Sequence, residues 1–146
     1  MAYKGFITPN INRIEDLIRT MLTSLASYQT RLALWLIDEF DFSQFSATAI
    51  GGDSPFLQSG SKLAGFGYLM AVESDTVNDL IQVLVSEDQL DCYIMHLEIE
   101  VESNVAIASY DTFSCIFFNA PIELAALEKL KQQTIIDDYG LCETQE

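Results

Sequence analysis

An alternating stretch near the middle of the chain, HLEIEVES at residues 96–103, limits the possible folds most sharply. Its apolar positions are Leu97, Ile99 and Val101, and its polar positions are His96, Glu98, Glu100 and Glu102. Successive side chains of a β-strand point to opposite faces, so this period of two predicts a strand with one buried and one polar face. We expect the strand to cover about residues 91–102.

Further apolar runs continue the predicted sheet. Ser103-Asn104 is typical of a tight turn, and it leads into VAIASY at 105–110 and FSCIFFN at 113–119. FGYLMAVES at 66–74 has the composition of another strand. The four segments predict antiparallel strands in hairpin order.

The first helix is predicted from a capping pattern and an apolar period. Asn12 and Glu15 have the spacing of a capping box, and apolar residues recur at three- and four-residue steps from Ile11 to Leu32. The end of this helix is open. RLALWLIDEF at 31–40 fits either three more helical turns or a buried strand after a break near 27–30, and its dense aliphatic residues favour the strand.

Two later segments also have helical patterns. TVNDLIQVLV at 76–85 predicts a short helix, and PIELAALEKLKQQ at 121–133 predicts a last helix capped by Asn119. Helices at both ends and one inserted predict a single α+β domain over residues 1–146, a mainly antiparallel sheet with about three helices packed on one face. We expect an acidic C-terminal tail at about 137–146 to be partly frayed.

The charge excludes several classes of partner. The chain has 22 acidic residues against 7 basic ones, and its net charge is −15. Between Arg31 and Lys129 the only basic residue is Lys62, whereas 16 acidic residues lie from Asp38 to Glu128. Nucleic-acid backbones and anionic lipids attract positive charge, so we expect no direct nucleic acid and no membrane among the partners. The same field favours a basic protein surface.

The compartment is predicted from the N-terminus and the cysteines. MAYKGFITPN lacks the apolar core of a secretory signal, and no apolar run approaches the roughly 20 residues that cross a bilayer. Three widely spaced cysteines, Cys92, Cys115 and Cys142, are expected to be reduced thiols. We therefore expect a cytoplasmic protein.

Three familiar chemistries lack essential residues. LALWLIDEF resembles the strand that holds magnesium in nucleotide hydrolases, but no phosphate-binding glycine loop precedes it. GGDSPF contains a Gly-Asp-Ser trio, yet any serine hydrolase would have to use His96, the only histidine, and nothing fixes Ser54 beside it. Structural zinc needs close ligand pairs, which the cysteines do not form. We predict no catalytic residues and no cofactor.

A metal site on the polar face of the central strand is the remaining enzymatic alternative. His96 and Glu98 share that face and could both reach one ion. Further ligands from another strand would be needed, and nothing in the spacing selects Asp111 or Glu73. A metal-dependent enzyme centred on His96 is thus a weaker alternative, and we predict no metal site.

The glutamates of the central strand predict an interaction surface. The following strand offers no cation to pair with them, so they either face water or pair with something outside the chain. We expect a non-enzymatic acidic interaction protein, such as an inhibitor, immunity protein or adaptor, that docks a basic partner surface. Its predicted partner-binding residues are Glu98, Glu100 and Glu102, with Asp38, Glu39 and Asp41 as a second patch.

The glycine-rich segment 51–67 supports an alternative function. It would form the lid of a small-ligand or nucleotide-binding module, with Gly60, Ser61 and Lys62 contacting an anion. A homo-oligomer is also predicted, because the aromatic residues of the 35–45 region exceed what one small core accommodates. These aromatic residues are Trp35, Phe40, Phe42 and Phe45.

Overall fold

A computed structural model describes residues 3–56, 62–87 and 93–142 of the chain. The strands are β1 Gly5–Pro9, β2 Thr30–Leu36, β3 Thr48–Ile50, β4 Phe66–Ala71, β5 Ile94–Val101, β6 Asn104–Tyr110, β7 Cys115–Phe118 and β8 Ile136–Leu141. The helices are α1 Ile14–Leu25, α2 Val77–Ile81 and α3 Leu124–Gln132. A 3₁₀ turn at Ser43–Phe45 and a π-helical turn at Gln82–Glu87 complete the regular structure of these residues.

The strands form one antiparallel sheet in the order β3-β4-β2-β5-β6-β7-β1-β8. The structure confirms the prediction of a single α+β domain with an antiparallel sheet and three helices. β5, the alternating strand, lies in the interior of the sheet between β2 and β6. Because β5 has a neighbouring strand on each edge, the side chains of its polar face can contact side chains of both β2 and β6.

The main core lies between the helices and one face of the sheet. α1 turns a stripe of apolar residues toward β5, β6 and β7, and these residues recur every three or four positions, as an amphipathic helix requires. They are Leu17, Ile18, Met21, Leu22 and Leu25. From β5, Leu97 and Ile99 join the same cluster. The apolar half of the alternating strand is therefore buried as predicted.

The ends of α1 differ from the predicted ones. Asn10, not Asn12, organises its start: the Asn10 side-chain oxygen accepts the backbone N–H of Asn12, and the helix begins at Ile14 without a side-chain cap. The capping box of Asn12 and Glu15 is therefore wrong. The helix ends at Leu25, and Tyr28, at 86% exposure, lies outside its buried stripe.

Residues 30–36 form a strand, which settles the open segment. Thr30 turns the chain from α1 into β2 by donating its hydroxyl to the carbonyl of Leu25. β2 then pairs with β4 on one side and β5 on the other, and its residues from Leu32 to Leu36 are all buried. The dense aliphatic run is thus explained by burial on both faces.

Three strands, β1, β3 and β8, were not predicted, and β3 pairs with β4 at the other edge of the sheet from β8. β1 and β8 pair with each other, and β1 also pairs with β7. β8 includes Asp137 and Asp138 and lies at the sheet edge. The prediction of a partly frayed tail at about 137–146 is therefore wrong for residues 137–141, which belong to β8, while residues 143–146 lie outside the described residues.

The start of the last helix is also corrected. Asn119 does not cap it, because its side-chain oxygen accepts the backbone N–H of Lys4 and its amide donates to the carbonyl of Val105. α3 begins only at Leu124, after a turn that contains a cis peptide bond before Pro121. Asn119 thus joins β1 to β6 instead of starting a helix.

The aromatic residues of the 35–45 region fit within this one domain. Trp35 and Phe42 are fully buried, and Phe40 and Phe45 pack against the core at partial exposure. The reason given for a homo-oligomer is therefore wrong, and the oligomer itself stays a prediction. No helix within the described ranges is both long and apolar enough to cross a membrane.

Candidate functional site

The second face of the sheet, opposite the helices, carries the polar side chains of β5. Glu98 is paired in register with Ala33 of β2 and with Ala108 of β6. Both alanines are fully buried although neither belongs to the main core. Two small side chains beside Glu98 leave room above its carboxylate, and another segment of the chain fills that room.

The covering segment is residues 51–56, which we call the anchored loop. The carbonyl of Gly51 accepts a hydrogen bond from Trp35 Nε1 at 2.9 Å. Ser54 contacts Glu98, and the ring of Phe56 lies 5.1 Å from the guanidinium carbon of Arg31. Contacts at three positions thus fix this loop to the second face.

Glu98 is 1% exposed, and each of its carboxylate oxygens has a hydroxyl donor. Ser54 Oγ donates to Oε1 at 2.5 Å, and the Tyr110 hydroxyl donates to Oε2 at 2.7 Å. The Tyr110 hydroxyl also lies 3.3 Å from that of Tyr3. Burial raises the pKa of Tyr110 well above its usual range, and the hydrogen bonds with Tyr3 and Glu98 act in the same direction. The hydroxyls offset part of the cost of burying a carboxylate.

Glu100 is 8% exposed and pairs with Arg31 of β2. Arg31 donates from Nε and from an Nη to the same carboxylate oxygen, at 2.9 and 2.8 Å. The two residues are directly opposite in the β2–β5 register. The chain therefore supplies a cation for Glu100. This cation comes from β2 and not from β6, the strand that follows β5 in the sequence.

His96 is buried on the same face beside Trp35 and Tyr110. Its Nδ1 accepts the backbone N–H of Asp111 at 3.2 Å, so its proton is placed on Nε2 when the ring is neutral. Burial lowers the pKa of His96, although the charges of Asp111 and Glu98 oppose that shift. A neutral, hydrogen-bonded imidazole fits a packed position.

The premise that the glutamates of β5 lack partners within the chain is wrong for two of the three. Glu98 and Glu100 are buried and bonded to side chains from the anchored loop, β2 and β6. Glu102 differs, because it is exposed in the β5–β6 turn at a φ of 51°. Of the predicted stripe, only Glu102 presents its side chain to solvent.

The second predicted patch lies at the end of the sheet where β2 stops. Asp38, Glu39 and Asp41 are all exposed, and they follow β2 directly. The Asp41 carboxylate accepts the backbone N–H of Ser43 at 2.9 Å, and that hydrogen bond lowers the pKa of Asp41. Among the described residues, no cation forms an ion pair with any of the three acids.

Three large hydrophobic side chains are exposed at the same end of the sheet. Ile37 is 51% exposed, Phe66 46% and Tyr93 44%. Phe66 is opposite Leu36 in the β2–β4 register, and the backbone N–H of Ile37 donates to the carbonyl of Tyr93 at 3.0 Å. We call these three residues with Asp38 and Glu39 the acidic–apolar end.

The predicted ligand loop is only partly described. Gly60 and Ser61 lie outside the described residues. Lys62 forms an exposed ion pair with Asp53 at 2.6 Å, and the backbone N–H of Leu63 donates to the carbonyl of Gly52. A role for Lys62 in binding an anion stays a prediction.

Within residues 3–56, 62–87 and 93–142, no group of three or more His, Cys, Asp or Glu side chains has a geometry that could hold a metal ion.

No family model matches the chain, and neither the curated proteins nor the solved structures contain a significant match to it.

Sequence reasoning missed the residues that complete the buried cluster. Arg31 could have been found, because it is the only basic residue at the start of a run predicted as a strand. Ser54 carries no such signal, since it is 44 positions before Glu98 and belongs to a turn-like segment. Contacts of that kind follow from the path of a loop, which local patterns do not determine.

Proposed function

We propose that this protein is a non-enzymatic acidic interaction module that docks a basic protein surface through its acidic–apolar end. One observation carries the proposal: Asp38 and Glu39, without an ion-pair partner among the described residues, lie beside the exposed hydrophobic residues Ile37, Phe66 and Tyr93. Apolar side chains with a polar rim are the usual anatomy of a protein interface.

The charge of the chain supports a basic partner rather than a neutral one. At a net charge of −15, the protein attracts positively charged surfaces and repels anionic ones over about a Debye length, roughly 8 Å at physiological salt. Exposed apolar side chains then give the contact that remains once the partner has been steered into place. We thus expect a partner with basic residues around an apolar patch.

The acidic–apolar end does not include the glutamates of β5 that the sequence predicted as partner-binding residues. Glu98 and Glu100 are left out because they bond within the chain, and reversing their charge would disturb folding as well as binding. Asp41 is kept unchanged in tests, because its carboxylate holds the turn at Ser43. Asp38 and Glu39 are the residues to reverse.

Two charge-reversal variants test the proposal. Asp38→Lys/Glu39→Lys changes the acidic–apolar end, and Glu73→Lys/Asp75→Lys changes two exposed acids after β4, at the opposite end of that strand. Both variants change the net charge by the same amount. In affinity capture from the native source, we expect a basic protein to be retained by the wild type and by the control variant, and lost by the first variant. Equal retention by all three proteins would overturn the assignment of this surface.

A further inference from the structure

A groove between α1 and α3 lies apart from both the buried glutamate cluster and the acidic–apolar end. It has a volume of about 490 Å³, within the range of small-molecule sites, which is roughly 300–1,000 Å³. Its apolar lining includes Met21 and Leu25 from α1 and Leu130 from α3, all of them buried. Ile122, just before α3, adds a fourth buried apolar side chain.

The polar residues of the groove are unevenly distributed. Among the described residues that line it, Lys129 is the only cation and Glu123 is the only carboxylate. They are six residues apart along α3, roughly 9 Å at 1.5 Å per residue, which separates the two charges along the groove. One end of the groove is thus positive at Lys129, the other end is negative at Glu123, and the lining between them is apolar or neutral.

Lys129 is unusual among the basic residues of this chain. In the part of the chain that the structure describes, five of the seven basic residues form ion pairs with acids, and only Lys4 and Lys129 do not. Its neighbour Lys131, in the same turn, pairs with Asp138 at 3.2 Å. A cation in the last turn of a helix is favourable in any case, so stability alone does not report what Lys129 does.

We propose that this groove binds a small amphipathic carboxylate, with the carboxylate at Lys129 and its hydrocarbon part on Met21, Leu25 and Leu130. A concave apolar lining with one unpaired cation matches a monoanion with an apolar body in both shape and charge. Glu123 repels a second anionic group at the other end of the groove, which disfavours dicarboxylates.

Decanoate and decanol, titrated separately by calorimetry, test this proposal. They share the hydrocarbon chain and differ in the charge of the head group. We expect saturable binding of decanoate, and roughly tenfold weaker binding of decanol, as the loss of one charge-assisted contact implies. Absence of saturable decanoate binding would overturn the proposal, as would equal affinities for the two compounds.

Two lysine variants locate the head group. Lys129→Gln is expected to lower the affinity for decanoate about tenfold and to leave the affinity for decanol unchanged. Lys131→Gln removes the same charge from the same helical turn outside the groove lining, so we expect it to bind decanoate like the wild type. An equal loss of decanoate affinity in both variants would mean that the overall charge, and not a contact at Lys129, determines binding, and this would contradict the proposal.

Two filling variants locate the hydrocarbon part. Ala126→Trp and Ser24→Phe each place a large side chain in the groove from opposite walls, and both positions are exposed, so folding is expected to be retained. Both should abolish binding of decanoate and decanol while circular dichroism stays unchanged. Wild-type affinity in two folded filling variants would show that the ligand binds elsewhere.

Discussion

The Ser54 hydroxyl donates a 2.5 Å hydrogen bond to the buried carboxylate of Glu98. This contact joins the anchored loop to the strand at the centre of the sheet. The alternating sequence predicts that Glu98 is exposed, but this contact makes Glu98 part of a second, polar core. The contact therefore relates the path of a loop to the stability of the whole sheet.

Ser54→Ala is expected to destabilise the protein by about 1–3 kcal/mol, because it removes one donor from a buried carboxylate. The measurement is the free energy of unfolding from urea titration. Ser114→Ala, which removes an exposed hydroxyl bonded to the carbonyl of Asp111, is the control and should cost less than about 0.5 kcal/mol. Equal losses in the two variants would mean that the hydroxyl of Ser54 has no special role.

Arg31→Met is expected to destabilise the protein by about 1–2 kcal/mol, less than a fully buried pair would lose because the Arg31 side chain is 48% exposed. In a double-mutant cycle with Glu100→Gln, the two losses should be less than additive, with a coupling of about 1 kcal/mol.

The exposed pair of Lys62 and Asp53 is the matched control for Arg31 and Glu100. Lys62→Met breaks an ion pair in which both side chains are largely exposed, so its effect should stay within about 0.5 kcal/mol. If Arg31→Met costs no more than Lys62→Met, the Arg31–Glu100 pair does not stabilise the second face.

His96 is expected to make the protein less stable at mildly acidic pH. Burial lowers the pKa of His96 in the folded protein, whereas an unfolded histidine titrates near about 6.5. The unfolded chain therefore binds the proton more readily, and the stability contributed by neutral His96 is lost as pH falls below about 6.5.

His96→Asn tests this pH dependence, because asparagine retains an acceptor for the backbone N–H of Asp111. Unfolding free energies of both proteins are compared at about pH 8 and about pH 5.5, on either side of the usual histidine pKa. The advantage of the wild type over the variant should shrink at the lower pH. A larger advantage at the lower pH would show that the pKa is raised instead.

Much of the fold follows from local patterns. The alternation of β5, the aliphatic run of β2 and the three- and four-residue period of α1 each correspond to an element in the structure. Such patterns report which face of an element is buried, and burial of apolar surface drives the fold. β1, β3 and β8 lack this signal: β3 spans only three residues, and β8 is an edge strand with consecutive exposed acids.

The candidate site was less accessible to sequence reasoning. A polar face on an alternating strand usually meets water, yet here the anchored loop covers it, and neither Ser54 nor Tyr110 is near Glu98 in a way that a local pattern reveals. Asp38 and Glu39 were predicted as part of a patch, but Phe66 and Tyr93 join them only through strand pairing. The path of a loop decides the first outcome, and long-range strand register decides the second.

The affinity of the captured basic partner, measured for three proteins at two salt concentrations, tests the proposed docking surface most directly. At about 50 mM salt we expect Asp38→Lys/Glu39→Lys to bind at least about tenfold more weakly than the wild type, and Glu73→Lys/Asp75→Lys to bind like it. At about 500 mM salt the difference should narrow, because charge is screened while the contacts of Ile37 and Tyr93 remain. Equal weakening by the two reversals at low salt would contradict the account, because net charge and not the acidic–apolar end would then determine binding.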